Sequence, residues 1–450
     1  MQKGDLLFED TEQAKKNKEV VLVDTLPKNA RNQGSINLGL QIVSETLNCN
    51  IVKWNDKLSK KYKQYAFNII YPTHVFNMVS FMLRNGIEPL KSQRKGIKIV
   101  AGGQGISNLK CLDDIVDEIY LGEFDNGVVA DKNGWTRLTK LESKEVIDGS
   151  KAVIEITRGC KYRCKFCEYG WVMGGKYREK SWELVKEQID VCVAQGIRTI
   201  NFLSANFGTY SAIDTLFEYC AKQGVQILNR DICLMDAGKI MKWIKPHGLN
   251  YLKIGVESFD EDTRRKAGKN ITDAEMEDTL RQILAITPAI HIYLIYGLPA
   301  DNYENWFKWI KKLGDIRKEY TQETEHLFGT DTENTKNIRI EMNITNFEPC
   351  KGTPYETEAC VDFDHKNEFL GKWTQALKNN GFYKVDADAD YKNIKGRWGR
   401  KEKSYQLLMA LKTSGTEITE AIIKAYPSGI GRTIKDKEAD KFLNLIEKKS

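Results

Sequence analysis

Apolar and polar positions alternate along the first third of the chain in the way that a parallel α/β domain requires. Short apolar runs at residues 20–23 and 97–100 predict strands, and the segments 38–47 and 75–84 have the spacing of amphipathic helices. Strands and helices that alternate in this way fold into a parallel sheet covered by helices. The pattern therefore predicts a Rossmann-like (flavodoxin-like) parallel sheet domain over residues 1–145.

The alternation continues with a longer repeat over the middle of the chain. Apolar runs predict six strands, at residues 152–156, 199–203, 225–229, 251–256, 291–296 and 338–344. Helical spacing fits between these strands, at residues 182–195, 213–222, 238–245, 273–286 and 303–317. Six consecutive βα units predict a partial (βα)6 TIM barrel over residues 146–360, and the active site of such a barrel lies at the carboxyl ends of its strands.

The end of the chain differs from both of these parts. Residues 319–336 carry a run of Thr, Glu, Asp and Asn, which predicts a long loop before the last barrel strand. After residue 360 the chain becomes rich in lysine, with aromatic residues between the cations. We therefore predict a third, small α-rich region at residues 361–450. Its basic segment 391–401 makes nucleic acid a candidate partner.

The composition is that of an ordered globular protein, with 41% hydrophobic residues and only nine prolines. A formal net charge of +6 arises from 68 Lys and Arg against 62 Asp and Glu, which is weak support for a polyanionic partner. No apolar run reaches membrane-spanning length, and the first residues lack the apolar core of a secretory signal. We therefore expect a cytoplasmic protein with no membrane partner.

Three of the ten cysteines, Cys160, Cys164 and Cys167, form one group directly after the first predicted barrel strand. The isolated cysteines, Cys233 among them, are predicted to be ordinary buried thiols. A cubane iron–sulfur cluster held by three thiolates keeps one iron open to another ligand. A zinc site would need a fourth Cys or His nearby, and three incidental thiols are the other alternative. Neither alternative accounts for the aromatic Phe166 before the third cysteine.

The spacing Cys-x3-Cys-x2-Cys, with Phe166 before the last Cys, resembles the radical S-adenosylmethionine (SAM) superfamily. The segment YLKIGVES at 251–258 is similar to its fourth-strand motif, and HIYLIYGLPAD at 291–301 is similar to its fifth-strand glycine motif. This resemblance implies a 4Fe–4S cluster on Cys160, Cys164 and Cys167, with SAM chelating the open iron. It also implies a reduced electron donor such as flavodoxin or ferredoxin, reductive cleavage of SAM, and a 5′-deoxyadenosyl radical that attacks a substrate.

The resemblance further implies SAM-binding residues at the strand ends. The backbone near Tyr169, and the strand that ends in Ile295 and Gly297, resemble the adenine-binding surface of the superfamily. Glu257, a carboxylate at a strand end, is placed to bind a polar part of SAM. Its alternative role is to cap a helix or to pair with Arg264.

The exit of the second barrel strand departs from the usual pattern of the superfamily. A Gly-Gly-Glu sequence usually binds the SAM amino group there, whereas this chain has Ser204 and Asn206. Both side chains can donate or accept hydrogen bonds, and backbone carbonyls offer a second route. Ser204 and Asn206 are therefore the predicted SAM ligands of this strand.

The first domain resembles the cobalamin-binding domain that precedes the barrel in some radical SAM enzymes. IKIVAGGQG at 97–105 carries the likeness, and Gly102 and Gly103 are its candidate cobalamin contacts. The loop 24–34 lacks the histidine of the usual cobalamin motif, so we do not expect histidine-ligated cobalt. Two hypotheses follow. The first is a cobalamin-dependent radical methyltransferase; the second is an enzyme with a vestigial cobalamin domain that performs a non-methylating modification of a nucleic acid or small molecule.

Two other classes share parts of this pattern. The tRNA methylthiotransferases need three further cysteines in the first domain, which here offers only Cys49 and Cys111, so that class is disfavoured. Cys350, at the barrel exit, is a weaker candidate for a role at the site. A non-enzymatic iron–sulfur protein that binds nucleic acid through its basic end is the remaining alternative. The motifs leave the substrate open, because a fold and a cofactor do not determine it.

Overall fold

The computed structural model describes residues 19–26, 38–103, 105–106, 109–120, 145–173, 177–328, 338–382, 402–425 and 436–447. The chain divides into two compact units. The N-terminal unit comprises residues 1–149, 172–175 and 400–450, and the barrel unit comprises residues 150–171 and 176–399. The domain boundaries drawn from the sequence, at residues 145 and 360, stay a prediction.

The described residues form strands and α-helices that are numbered here in chain order. The strands are β1 Val20–Asp24, β2 Asn50–Lys53, β3 Gln64–Asn68, β4 Lys98–Gly102, β5 Glu118–Tyr120, β6 Val146–Asp148, β7 Lys151–Glu155, β8 Thr157–Arg158, β9 Arg178–Glu179, β10 Thr199–Leu203, β11 Gln226–Ile227, β12 Asp231–Cys233, β13 Leu252–Glu257, β14 Ala289–Tyr296 and β15 Arg339–Asn346. The helices are α1 Leu38–Leu47, α2 His74–Arg84, α3 Trp182–Ala194, α4 Ile213–Lys222, α5 Ala237–Ile244, α6 Glu261–Lys266, α7 Asp273–Ile286, α8 Tyr303–Phe328, α9 Phe363–Asn379, α10 Glu402–Thr413, α11 Thr416–Ala425 and α12 Asp436–Glu447.

The N-terminal unit is built on a parallel sheet with the strand order β2-β1-β3-β4-β5. This is the flavodoxin-like order, and it confirms the fold predicted from the alternation of apolar runs. Successive residues of a strand face opposite sides of a sheet. Val21 and Val23 of β1 accordingly lie in one core, and Leu22 lies in another with Leu40 of α1.

The last three helices complete the larger core of the N-terminal unit. Leu407 of α10, Ile418 of α11 and Phe442 of α12 are buried in the same cluster as Val21 and Val23. The ring of Phe442 lies 4.8 Å, centroid to centroid, from that of Phe76 in α2. The α-rich character predicted for the C-terminal region is therefore confirmed for the helices described. The basic segment 391–401 lies outside the described residues.

Six successive parallel strands form the barrel unit. They pair in the orders β7-β10-β11 and β12-β13-β14-β15. The third barrel strand is split into β11 and β12, because the side chain of Asn229 takes over the pairing between them. Its amide bonds the backbone N–H of Phe202 at 2.9 Å and the carbonyl of Phe202 at 2.6 Å. The predicted partial TIM barrel is confirmed.

Some of the barrel helices begin at clear capping signals. Ser181 caps α3, and Thr272 and Glu275 form a capping box at the start of α7. The prediction of a loop from residue 319 is wrong at its start, because α8 continues to Phe328. Glu319 pairs with Arg281 of α7 across 2.5 Å, so the start of this polar stretch lies on a helix. Within the part of the chain that is described, no helix is both long and apolar enough to span a membrane.

Candidate functional site

The cysteine loop, residues 159–167, leaves the first barrel strand at the carboxyl edge of the barrel unit. Gly159 starts the loop with a left-handed backbone (φ +78°) and donates its N–H to the Tyr169 hydroxyl at 3.3 Å. Cys164 is buried, whereas Cys160 and Cys167 are partly exposed. The N–H of Cys167 bonds the carbonyl of Cys164 at 3.0 Å, so a tight turn presents the last two thiols together.

The turn that follows α6 packs against the cysteine loop and supports it. The carbonyl of Ala267 accepts the backbone N–H of Lys165 at 2.9 Å. Gly268 has a left-handed backbone (φ +88°), and a Cβ there would lie 3.4 Å from the Cα of Cys164. Glycine is therefore required both by the turn and by the close approach of the loop. On the other side, the indole N–H of Trp171 donates to the carbonyl of Cys164 at 3.0 Å.

The donor set fits a thiolate-bound iron–sulfur cluster. Burial raises the pKa of the Cys160 thiol, and it raises the pKa of the Cys164 thiol to about 12, so iron must displace protons when it binds. The described residues do not gather three His, Cys, Asp or Glu side chains at the spacing that one metal ion needs. A cubane binds each thiolate through a different iron atom, so its ligands stand further apart than those of one ion.

At the exit of the second barrel strand, the side chains of both predicted SAM ligands form hydrogen bonds with other residues of the protein. The hydroxyl of Ser204 lies 2.6 Å from the hydroxyl of Thr157 beside the cysteine loop. Asn206 is buried; its amide N–H donates to Asp236 at 2.5 Å, and its amide oxygen accepts the N–H of Cys233 at 3.2 Å. Ser204 therefore faces the site with a hydroxyl, while the Asn206 side chain ties together the second and third strand exits.

Glu257 ends the fourth barrel strand in an unusual conformation and is paired with a lysine. Its φ of +72° is left-handed, and its carboxylate lies 3.0 Å from the amine of Lys269. The alternative pairing with Arg264 is wrong, because buried Arg264 bonds Asp273 and the carbonyl of Ser258 at 3.0 Å. Non-glycine residues held at such a φ cluster at functional sites.

The sequence analysis assigned neither Lys269 nor Cys233 to the site, and the structure brings both to it. The Lys269 amine donates to the Cys233 sulfur at 3.6 Å and to the carbonyl of Gly255 at 3.3 Å. Burial opposes the charged amine, but Glu257, Cys233 and Cys164 outweigh it and raise the pKa of Lys269. The prediction of Cys233 as an ordinary buried thiol is wrong, because it is partly exposed at a strand end. The apolar run predicted the third barrel strand to end at Asn229, so the second half of that strand, which ends at Cys233, was not recognised from the sequence.

The fifth barrel strand ends in Ile295 and Gly297 at the same edge. Ile295 is partly exposed and pairs with Thr345 of β15. Gly297 has a left-handed backbone (φ +91°), and a Cβ there would lie 2.8 Å from a methyl carbon of Val361. Its N–H donates to the hydroxyl of Tyr303 at 3.0 Å. Glycine is required by packing at this position, and the backbone beside it remains the predicted adenine surface.

The predicted cobalamin contacts lie in the N-terminal unit, at the carboxyl end of β4. Gly103 has a left-handed backbone (φ +111°), and a Cβ there would lie 2.7 Å from the carbonyl oxygen of Ile69. A Cβ on Gly102 would meet only Tyr120, at 3.8 Å. The requirement for glycine at position 103 therefore comes from the approach of two loops. Beside it, the buried amide nitrogen of Asn68 has no hydrogen-bond partner, which fits a polar ligand at this edge.

Comparison with known proteins shows which superfamily the barrel part of the chain resembles. The Radical SAM superfamily model matches residues 154–313, which include the cysteine loop and the ends of five barrel strands. Over these residues the chain is similar to the radical SAM superfamily, whose enzymes use a 4Fe–4S cluster and SAM.

Two curated relatives match over part of their length. Hopanoid C-3 methylase of Methylococcus capsulatus is 25% identical over 174 residues, which cover 37% of this chain and 33% of that protein. tRNA-2-methylthio-N(6)-dimethylallyladenosine synthase of Stenotrophomonas maltophilia is 24% identical over 188 residues, which cover 38% of this chain and 39% of that protein. The matched segments therefore span less than half of these relatives.

A solved structure has a similar fold over nearly the whole chain. It is the radical SAM methyltransferase TsrM from Kitasatospora setae with cobalamin and a [4Fe-4S] cluster bound, at 12% identity and a TM-score of 0.51, covering 96% of this chain and 99% of that one. The same enzyme with tryptophan substrate and a SAM analogue bound gives a TM-score of 0.52 at 12% identity, over 76% of each chain. These likenesses concern the fold.

Proposed function

We propose that this chain is a cobalamin-dependent radical SAM methyltransferase. The observation that carries the proposal is the combination of a three-cysteine loop at the carboxyl edge of the barrel with a flavodoxin-like sheet ahead of it in the chain. The structure of TsrM, which has a similar fold over 96% of this chain and holds cobalamin and a [4Fe-4S] cluster, supports it. When bound, the cluster and SAM would supply a 5′-deoxyadenosyl radical, and cobalamin would supply a methyl group.

The residues of the barrel unit would bind and orient the cofactors. Cys160, Cys164 and Cys167 would hold three irons, and the turn at Gly268 keeps their loop in place. Ser204 and Glu257 offer a hydroxyl and a carboxylate at neighbouring strand ends for the polar groups of SAM. The backbone near Tyr169, Ile295 and Gly297 would contact the adenine. The donor of the electron would be a reduced flavodoxin or ferredoxin.

The N-terminal unit offers a polar edge for cobalamin without a histidine ligand from the first loop. Thr25 directly follows β1 in that loop, and its hydroxyl lies 2.8 Å from the Nδ1 of buried His74. Asn68 and the backbone at Gly102 and Gly103 complete the described edge. Residues 27–37 and 121–144, which follow β1 and β5, lie outside the described residues.

A second candidate is a radical SAM enzyme whose first domain holds no cobalamin. The feature that favours it is the Gly103 turn, which contact with the Ile69 carbonyl explains without a ligand. A methylthiotransferase is disfavoured for a further reason: Cys49 and Cys111, both buried, lie in cores on opposite faces of the sheet and could not share a cluster. Nucleic acid as substrate or partner stays a prediction.

The first experiment tests radical generation. The protein is reconstituted anaerobically with iron and sulfide, then incubated with SAM and dithionite, and the products are separated by chromatography. We expect 5′-deoxyadenosine with methionine, and S-adenosylhomocysteine beside them if methyl transfer occurs. Cys164→Ala should abolish SAM cleavage, whereas Cys192→Ala, which alters a buried thiol of α3, should not. Failure of the reconstituted wild-type protein to cleave SAM would refute the proposal.

The second experiment separates the two candidates. Iron-loaded protein is mixed with one equivalent of hydroxocobalamin, desalted, and examined by visible absorption. Retention of the cobalamin bands with the protein supports the methyltransferase. SAM cleavage without cobalamin retention would favour the second candidate and exclude cobalamin-dependent methylation.

A further inference from the structure

Lys269 is a buried cation whose amine is directed at the cysteine site. The residue is 7% exposed, and its amine lies 3.0 Å from Glu257, 3.3 Å from the carbonyl of Gly255 and 3.6 Å from the sulfur of Cys233. Enclosing a charged amine costs free energy unless close partners compensate. A structural ion pair of this kind can often be replaced by apolar residues at little cost, so its position beside the thiols calls for another explanation.

The same turn that carries Lys269 also supports the cluster cysteines. Ala267 bonds the backbone of Lys165, and Gly268 packs against the backbone of Cys164. Glu257 is held in a left-handed conformation that brings its carboxylate to the amine. Cys164 interacts electrostatically with both Lys269 and Glu257. A positive and a negative charge are thus fixed beside the same cluster ligand.

Reduction of an iron–sulfur cluster adds one negative charge to it. A fixed cation nearby stabilises the reduced form and raises the reduction potential, whereas a fixed anion lowers it. We propose that the Lys269–Glu257 pair sets the reduction potential of the cluster on Cys160, Cys164 and Cys167, an inference that rests on the proposed function for the presence of that cluster. Lys269 and Glu257 are positioning residues in this role, and the Lys269 amine also donates to the sulfur of Cys233.

The test is a potentiometric titration of the reconstituted full-length protein, followed by electron paramagnetic resonance and performed without SAM. Lys269→Gln is expected to move the midpoint potential to a more negative value, because an unbalanced carboxylate remains. Glu257→Gln is expected to move it to a less negative value, because an unbalanced amine remains. The double variant should lie between the two single variants. Lys269→Arg should restore a potential close to that of the wild type.

A matched control separates the pair from general charge effects. Lys266→Gln removes an exposed lysine from the end of the preceding helix and should leave the potential unchanged. Iron and sulfide are counted in every sample. Shifts of opposite sign in Lys269→Gln and Glu257→Gln support the proposal, since loosened packing would not produce them. If the variants hold a cluster and their potentials are unchanged or shift with the same sign, the role of the Lys269–Glu257 pair is overturned. If the wild-type protein binds no cluster, the proposed function is overturned as well. If Lys269→Gln does not load a cluster, the Glu257→Gln titration alone decides.

Discussion

Replacement of Asp301 by Asn should remove a pH-dependent loss of stability from the barrel unit. Asp301 joins the loop after β14 to the end of β13: its Oδ1 accepts the hydroxyl of Ser258 at 2.8 Å and the indole N–H of Trp306 at 3.1 Å. The other carboxylate oxygen is buried and has no hydrogen-bond partner. Burial raises the pKa of Asp301 from its usual 3.8 to about 7, and the two hydrogen bonds only partly oppose this.

The magnitude and sign follow from proton linkage. The folded pKa is above the unfolded one, so between these values the folded protein holds more protons, and stability falls as the pH rises. A shift from 3.8 to about 7, at about 1.4 kcal/mol per unit, corresponds to roughly 4 kcal/mol lost between about pH 4 and pH 7. Asn keeps an oxygen for Ser258 and Trp306, and its unpaired amide costs about 1–3 kcal/mol at every pH. The dependence of the free energy of unfolding on pH that Asp301 causes should therefore disappear in the variant, whatever the change in stability at any one pH.

The assay is urea unfolding of cluster-free protein from pH 4 to pH 8, for the wild type and for Asp301→Asn. As the pH rises across this range, we expect the free energy of unfolding of the variant to increase relative to that of the wild type by up to about 4 kcal/mol. Asp262→Asn is the control: Arg265 lowers the pKa of exposed Asp262 below its usual 3.8, so this group titrates below the assay range, and the stability curves of this variant and the wild type should stay parallel from pH 4 to pH 8. Parallel pH curves for the wild type and Asp301→Asn would falsify the reasoning.

Two further substitutions test the packing that supports the site. Gly268→Ala should cost about 1–2 kcal/mol in backbone strain and should lower the iron content per chain after reconstitution, because the new Cβ would press on the cysteine loop. The control is Gly248→Ala, which has a similar left-handed φ of +59° but open space around it, and it should lower stability without lowering the iron content. Equal iron loading in the two variants would contradict the supporting role of the turn at Gly268. Phe442→Ala should destabilise the N-terminal unit by about 3–5 kcal/mol, as measured by hydrogen exchange of β1 and β3. Lys441→Ala, on the exposed face of the same helix, serves as its control, and equal protection in the two variants would show that α12 is not part of that core.

Local patterns in the sequence were sufficient for the fold class, and they supplied the candidate cluster ligands, which stay a prediction. Apolar runs of strand length and capping signals such as Ser181 are properties of neighbouring residues, so they can be read without tertiary structure. Cys160, Cys164 and Cys167 lie on one loop, and their spacing is itself the signal. Polar composition misled at residues 319–328, because a polar helix and a loop can have the same composition.

The partners of the charged groups were decided only by tertiary structure. Glu257 had Arg264 as its nearest candidate along the chain, yet the fold buries Arg264 against Asp273 and brings Lys269 to Glu257 through a left-handed turn. Cys233 became part of the site because Asn229 splits the third barrel strand and so changes where that strand ends. The helices α10 to α12 likewise pack in the core of the N-terminal unit. The hydroxyl of Thr419 in α11 donates a hydrogen bond to the carbonyl of Cys111, more than 300 residues earlier in the chain. The sequence by itself determined which residues are the candidates for binding iron. The fold alone determined which charged groups lie beside them, because such contacts depend on distances in space that spacing along the chain does not encode.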